Sequence, residues 1–203
     1  CRHAGLEVGF RSLYYQISWN PSVNPWHLHQ ALRCIRSGGV IAYPTEAVWG
    51  LGCDPTDKQA VHRILDLKSR PEHKGLVLVG SSLDQFQDWI KPLSDDDMNT
   101  VMATWPGPMT WVLPCYDSVP TWLRGEHSSL AVRISDHPIV KALCDEVGPL
   151  VSTSANPAGK EPARSALKVR KYFPDGLNCL LPGKLGGRRQ PSEIRTLDGQ
   201  RLR

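Results

Sequence analysis

No apolar run in this chain approaches the roughly 18 residues that a membrane span requires, so a soluble protein is expected. Its six cysteines (Cys1, Cys34, Cys53, Cys115, Cys144 and Cys179) contain no CxxC pair, and its seven histidines contain no HExxH. Zinc-ribbon and zinc-protease sites are thereby excluded. Cysteine is also too sparse for a disulfide-stapled secreted domain, and the candidate sequon at Asn20 is spoiled by Pro21. Free thiols in a reducing cytoplasm follow. The familiar nucleotide cradles are missing as well. A P-loop needs Gly-Lys followed by Ser or Thr, whereas Gly183-Lys184 is followed by Leu185. A dinucleotide fingerprint fails because Gly50-Leu51-Gly52 meets Pro55 where the third glycine belongs.

What is present is ordinary for a globular domain: 203 residues, 40% apolar and 22% charged. That length suits one domain with a proper core. Charge is unevenly spread. Residues 1–159 carry 13 Lys and Arg against 16 Asp and Glu, while residues 160–203 carry 11 against 4. A concentrated positive end suits an anionic partner, nucleic acid or nucleotide phosphate, but a solvated helix face and basic tail would look the same. Residues 1–23 lack the charged-then-apolar order of a signal peptide and are expected to form an irregular tail or extension. Residues 24–203 are expected to form one domain.

Hydrophobic period switches repeatedly along that domain. Asn24-Pro25 is a helix start, followed by Leu28, Ala31, Leu32 and Ile35 at helical spacing and a Gly38-Gly39 stop. Short buried strands are predicted at 40–43, 76–79, 109–113, 130–134 and 150–152. Helices are predicted at 57–68, 83–90, from Ser94 into Trp105, at 137–147, and at 165–173. Residues 192–202 read as two strands around Asp198-Gly199, a two-residue hairpin signal. Alternating helices and strands imply an α/β domain with a twisted, mixed sheet, the terminal hairpin adding antiparallel pairing.

Three polar segments sit where predicted strands or helices end, which is where such domains place their sites. Tyr43-Pro44-Thr45-Glu46, running on to Gly50-Leu51-Gly52, offers a hydroxyl, a carboxylate and two glycines for a tight binding turn, or simply a loop whose glycines serve the backbone. Lys68, Arg70 and Lys74 set three cations within seven residues beside Pro71. They suit polyphosphate, though one or two of them would also suit a helix C-terminus. Ser152-Thr153-Ser154-Ala155-Asn156 supplies small hydroxyls to an anion or nucleotide, or ordinary turn chemistry.

Taken together these residues resemble the YrdC-type family of threonylcarbamoyl-AMP synthases, in the short single-domain form called TsaC in bacteria. The resemblance rests on Tyr-Pro-Thr-Glu at 43–46, Lys-x-Arg at 68–70, Trp105-Pro106-Gly107-Pro108 and Ala131-Val132-Arg133. It is completed by Ser-x-Asn at 154–156 and Pro191-Ser192-Glu193-Ile194-Arg195, in family order over roughly residues 28–203. Trp49 departs from the Tyr or Phe of many relatives, and the extra C-terminal domain of the longer family form is not expected. Trp105 itself reads as a packing anchor.

The resemblance implies a single YrdC-like domain around a basic central cavity, and condensation of L-threonine, bicarbonate and ATP to threonylcarbamoyl-AMP and pyrophosphate. The product would serve N6-threonylcarbamoyladenosine modification of tRNA position 37 through downstream transfer proteins, with weak tRNA contact. By similarity, Lys68, Arg70, Ser129, Ser154, Asn156 and Arg195 would hold ATP. Thr45, Lys74, Arg133, Ser152 and Ser192 would hold threonine or its carbamate. Thr110 and Glu46 are within expected reach, Glu46 either orienting its loop or helping to hold Mg²⁺, which is expected with ATP. No nucleophile is required, because attack on phosphorus needs placement and charge neutralisation. Two other readings are a non-catalytic double-stranded RNA or tRNA-binding module gripping phosphates through residues 160–203, and a carbamoyl-phosphate-dependent transferase domain. The first predicts steep salt dependence and no consumption of ATP.

Overall fold

Asn24 does open a helix. In the computed structural model, which describes residues 23–202, its side chain accepts from the N–H groups of Trp26 (3.0 Å) and His27 (3.3 Å) at the head of α1 (Pro25–Arg36). Two donors that the first turn leaves unpaired are thus satisfied. Leu28, Ala31, Leu32 and Ile35 form the buried stripe, joined by Val23. The expectation for residues 1–22 lies outside the described residues.

Strand β1 (Ile41–Pro44) is followed by β2 (Trp49–Cys53), paired antiparallel with it. The sequence reading took residues 45–52 as one loop; the structure makes a hairpin of them. Two glycines hid the strand, since Gly weakens strand propensity. Gly52 has a packing reason: a Cβ there would lie 2.7 Å from the Val151 carbonyl and 2.8 Å from the Tyr43 ring.

Helix α2 (Lys58–Lys68) is capped by Asp57 and ends at Ser69 in the left-handed region, φ 48°. Then come β3 (Val77–Gly80), α3 (Asp95–Met102), β4 (Met109–Pro114), α4 (Thr121–Arg124), β5 (Ser129–Ile134), α5 (Pro138–Val147), β6 (Leu150–Ser154), α6 (Ala166–Tyr172), β7 (Cys179–Leu180) and β8 (Glu193–Thr196). Ser94 caps α3 by accepting from the Asp97 N–H, and Ser165 caps α6 by accepting from the Lys168 N–H. Two helix expectations shrink: 83–90 is only a 3₁₀ turn at Leu83–Phe86, and α3 stops at Met102.

The eight strands run β7-β1-β2-β6-β3-β5-β4-β8. Pairs β1/β7, β3/β5 and β4/β8 are parallel; β1/β2, β2/β6, β3/β6 and β4/β5 are antiparallel. The expected terminal hairpin is corrected here. Its first arm, β8, joins the sheet parallel to β4, and its return arm is reduced to one bridge between Arg195 and Arg201. A large apolar cluster including Leu51, Ile64, Leu78 and Val132 fills one side of the sheet, and a second, including Ile35, Tyr43, Val79 and Leu143, lies under α1 and α5. Burying each such side chain stabilises by about 1.5–3 kcal/mol, which makes the sheet a stiff floor for the polar groups at its strand ends. No helix among the described residues is long and apolar enough to cross a membrane.

Candidate functional site

Five distant pieces of chain meet over this floor in a cleft of about 860 Å³, open to solvent. The β1–β2 turn brings Thr45 and Glu46, β5 brings Arg133, and β6 brings Ser152 and Ser154. The segment entering β8 brings Ser192, and Arg70 reaches in from beyond α2. Thr45, Arg133, Ser152 and Ser192, expected to act together, therefore converge despite up to 147 positions of separation between Thr45 and Ser192.

Burial forces the base of the cleft to satisfy its charges internally. Arg133 donates from Nη1 to Glu46 Oε2 at 2.6 Å, and Ser135 donates to Glu46 Oε1 at 2.5 Å. Burial alone would raise the Glu46 carboxyl, but the Arg133 guanidinium and the two hydrogen bonds hold it below its usual value of 4.5. Ser135 Oγ also accepts from the His137 N–H at 3.1 Å, and His137 Nε2 meets the Lys184 carbonyl at 3.1 Å. Burial keeps that imidazole below its usual 6.5.

The hydroxyls are polarised in a definite sense. Thr45 Oγ1 donates to the Val48 carbonyl at 2.7 Å, so its lone pairs remain to accept. Ser152 Oγ accepts from the Tyr43 hydroxyl at 2.9 Å, so its proton remains to donate. Buried Thr110 donates to Ser192 Oγ at 3.2 Å. One wall can therefore take an ammonium while neighbouring groups take a carboxylate.

A second cleft of about 790 Å³ shares Arg70, Leu76, Val77 and Ile194 with the first. It holds Lys74 and Ser129 among apolar Val112, Leu123 and Ala131. Lys74, expected beside threonine, lies on the side of Ser129. Arg195, expected with ATP, lies apart from both clefts. Along β8, Ile194 and Thr196 face the second cleft, so the intervening side chain points the other way. Arg195 lines neither cleft and pairs with Glu193 at 2.8 Å. Lys68 is buried at the end of α2, its ammonium bonded to the carbonyls of Ser154 and Asn156. Asn156 donates to the Pro157 and Lys160 carbonyls, and its Oδ1 is buried without a partner among the described residues. Arg70 spans both clefts while donating to the Gly75 carbonyl at 2.9 Å, and burial lowers its pKa.

The sequence profile of the Sua5, YciO and YrdC family, described as telomere recombination, matches residues 33–203. This chain belongs to that family. A threonylcarbamoyl-AMP synthase from Stutzerimonas stutzeri is 52% identical over 175 residues, covering 86% of this chain and 95% of the relative. One from Pseudomonas aeruginosa is 53% identical over 174 residues, covering 85% and 94%. The crystal structure of P. abyssi Sua5 complexed with L-threonine superposes with a TM-score of 0.81 at 32% identity over 88% of this chain. This chain spans only 54% of that longer protein.

As a Sua5/YciO/YrdC domain, the chain also carries site residues that sequence reasoning missed. Arg188, Gln190 and Pro191 line the first cleft, and Ser135 completes its base. Arg188 has a visible signal, the Gly186-Gly187-Arg188-Arg189 run inside the basic C-terminal stretch, whose charge suits an anionic partner or a solvated tail equally. Ser135 has none, because its role depends on the approach of Glu46 from the distant β1–β2 turn. Magnesium does not fit a protein-held site. No group of three or more His, Cys, Asp or Glu among the described residues is placed for a metal. The cleft carboxylate Glu46 is already engaged by Arg133 and Ser135.

Proposed function

We infer that this chain is a threonylcarbamoyl-AMP synthase, an enzyme that condenses L-threonine, bicarbonate and ATP to threonylcarbamoyl-AMP and pyrophosphate for tRNA modification. The observation that carries this reading is half identity to synthases over about 95% of their length, joined to a cleft that gathers Thr45, Arg133, Ser152 and Ser192. Threonine's ammonium and bicarbonate form a carbamate with release of one water and one proton. A carbamate oxygen then attacks the α-phosphorus of ATP, and pyrophosphate leaves.

Thr45, Ser152 and Ser192 hold the amino acid, with Arg133 on its carboxylate. Support comes from the hydroxyl polarity described above, which supplies an acceptor at Thr45 and a donor at Ser152. The nucleoside lies toward the second cleft, whose apolar Val112, Leu123 and Ala131 suit a base, with Ser129 and Lys74 alongside. Arg70, on the shared wall, faces the phosphates. Lys68, Ser154 and Asn156 form the adjoining corner, where the Asn156 Oδ1 can accept from a nucleotide hydroxyl. Magnesium enters as part of MgATP, held by phosphate oxygens. The barrier is lowered by alignment and by cations opposite developing charge, which together replace a nucleophile. The setting is a reducing cytoplasm, where the product passes to tRNA-modifying proteins.

Pyrophosphate release is the decisive assay. Release should require ATP, L-threonine and bicarbonate together. Equal release with threonine omitted would end the assignment.

A further inference from the structure

Residues 186–189 run against the Thr45–Glu46 turn at the first cleft as a strap fixed through its main chain. The Gly186 N–H donates to the Thr45 carbonyl at 3.1 Å, and the Arg188 N–H to the Glu46 carbonyl at 3.0 Å. From outside, Arg164 donates to the carbonyls of Arg189 (3.0 Å) and Arg188 (3.3 Å). The strap sits directly on the Thr45–Glu46 turn, since a Cβ on Gly186 would be 2.9 Å from Glu46 Cα. Arg188 is thus held by its backbone alone. Arg188 lines the cleft as a solvent-exposed residue, and its side chain makes no hydrogen bond or ion pair among the described residues.

Charge balance assigns that side chain a task. Threonine carbamate carries two carboxyl groups, the amino acid's own and the one gained from bicarbonate. Arg133 is the cation at the base, yet Glu46 at 2.6 Å offsets its charge. Arg70 stands on the wall shared with the second cleft, toward the phosphates. A second carboxylate near Thr45 therefore needs another cation, and Arg188 is tethered to the Thr45–Glu46 turn itself. A planar guanidinium also matches a carboxylate in two-pronged fashion.

We propose that Arg188 holds the bicarbonate-derived carboxyl group of threonine carbamate and so sets the enzyme's requirement for bicarbonate. This rests on the synthase reading above. The test is pyrophosphate release against bicarbonate concentration, at saturating ATP and threonine, for the wild type, Arg188→Gln, Arg188→Lys and Arg189→Gln. Arg188→Gln should raise the half-saturating bicarbonate on the order of 10- to 100-fold, the usual worth of a hydrogen bond to a charged group. Half-saturation by ATP should move less than about twofold, the working resolution of a comparison in which tenfold is 1.4 kcal/mol. Arg188→Lys should recover part of the loss, keeping charge without the fork. Arg189→Gln should behave as wild type, because its side chain lies outside the cleft lining. All variants should melt with the wild type, since the strap is held by main-chain groups. A normal bicarbonate requirement in Arg188→Gln overturns the proposal, as does a raised ATP requirement, which would put the residue on the phosphates. A lowered melting temperature in both Arg188→Gln and Arg188→Lys also overturns it, by making the side chain structural. A wild type lacking threonine- and bicarbonate-dependent release overturns the synthase reading and this proposal with it. A normal wild type beside a bicarbonate-normal variant overturns this proposal alone.

Discussion

Glu46→Ala tests whether the base of the cleft is held by its buried ion pair. The carboxylate takes Arg133 at 2.6 Å and the Ser135 hydroxyl at 2.5 Å, and the side chains of Arg133 and Glu46 are 8% and 7% exposed. Removing one partner leaves a buried guanidinium uncompensated, which destabilises by about 3–5 kcal/mol. In a domain of this size each kcal/mol shifts the melting temperature by about 2–4 °C, so a fall of roughly 10 °C is expected. Glu46→Gln keeps an acceptor and the shape, and should lose about 1–3 kcal/mol. Thermal melts followed by circular dichroism measure both. The threonine requirement should rise in parallel, because Arg133 loses the contact that orients it. Acidity gives an independent check. The folded carboxyl titrates below its unfolded value of 4.5, so its contribution is complete above about pH 4.5 and is lost as pH falls through the folded value. The gap between wild type and Glu46→Ala should therefore narrow in acid. A variant melting within about 2 °C of wild type, or a gap constant down to the lowest pH at which wild type folds, would refute the argument.

Arg70→Ala should lower turnover on the order of 10²-fold, about 3 kcal/mol of transition-state stabilisation. It should also lose about 1 kcal/mol of stability, because Arg70 holds the Gly75 carbonyl; steady-state rates and melts separate the two, and near-normal turnover would remove Arg70 from the phosphates. Ser152→Ala and Ser192→Ala should raise the threonine requirement while leaving calorimetric ATP binding nearly unchanged, and threonine should be strongly preferred over 2-aminobutyrate. Loss of ATP affinity with normal threonine dependence would reverse the two halves of the site. His137 has a folded pKa below its unfolded 6.5, so its contribution is complete above about pH 6.5 and falls away as the solution is acidified. His137→Gln should flatten the dependence of denaturant stability between about pH 7 and 5, and an unchanged slope would contradict that assignment.

Local signals are legible in the sequence because they are local in physics. The Asn24 cap, the helix start at Ser94 and the helical stripe of α1 each depend on side chains within a few positions of one another. The elements lost were those whose reason lies elsewhere in the chain. Strand β2 carries Gly52 because Tyr43 and Val151 need the space, and β7 is two residues long because only its edge pairing with β1 defines it. The site divides in the same way. Thr45, Arg70, Arg133 and Ser154, which line the first cleft, stand out by residue type and by family resemblance, so the kinds of group that meet there are legible in the sequence. Which of them share a wall was decided by the sheet. Strand alternation turned Arg195 away while facing Ile194 inward, and the loop after α2 carried Lys74 to the second cleft. Glu46 became the partner of Arg133, and Arg188 entered the cleft, because the β1–β2 turn, β5 and the 186–189 strap meet there in space. Sequence specifies which groups exist and how each short segment bends; only the packed sheet sets the distances of a few ångströms over which charges and hydrogen bonds act.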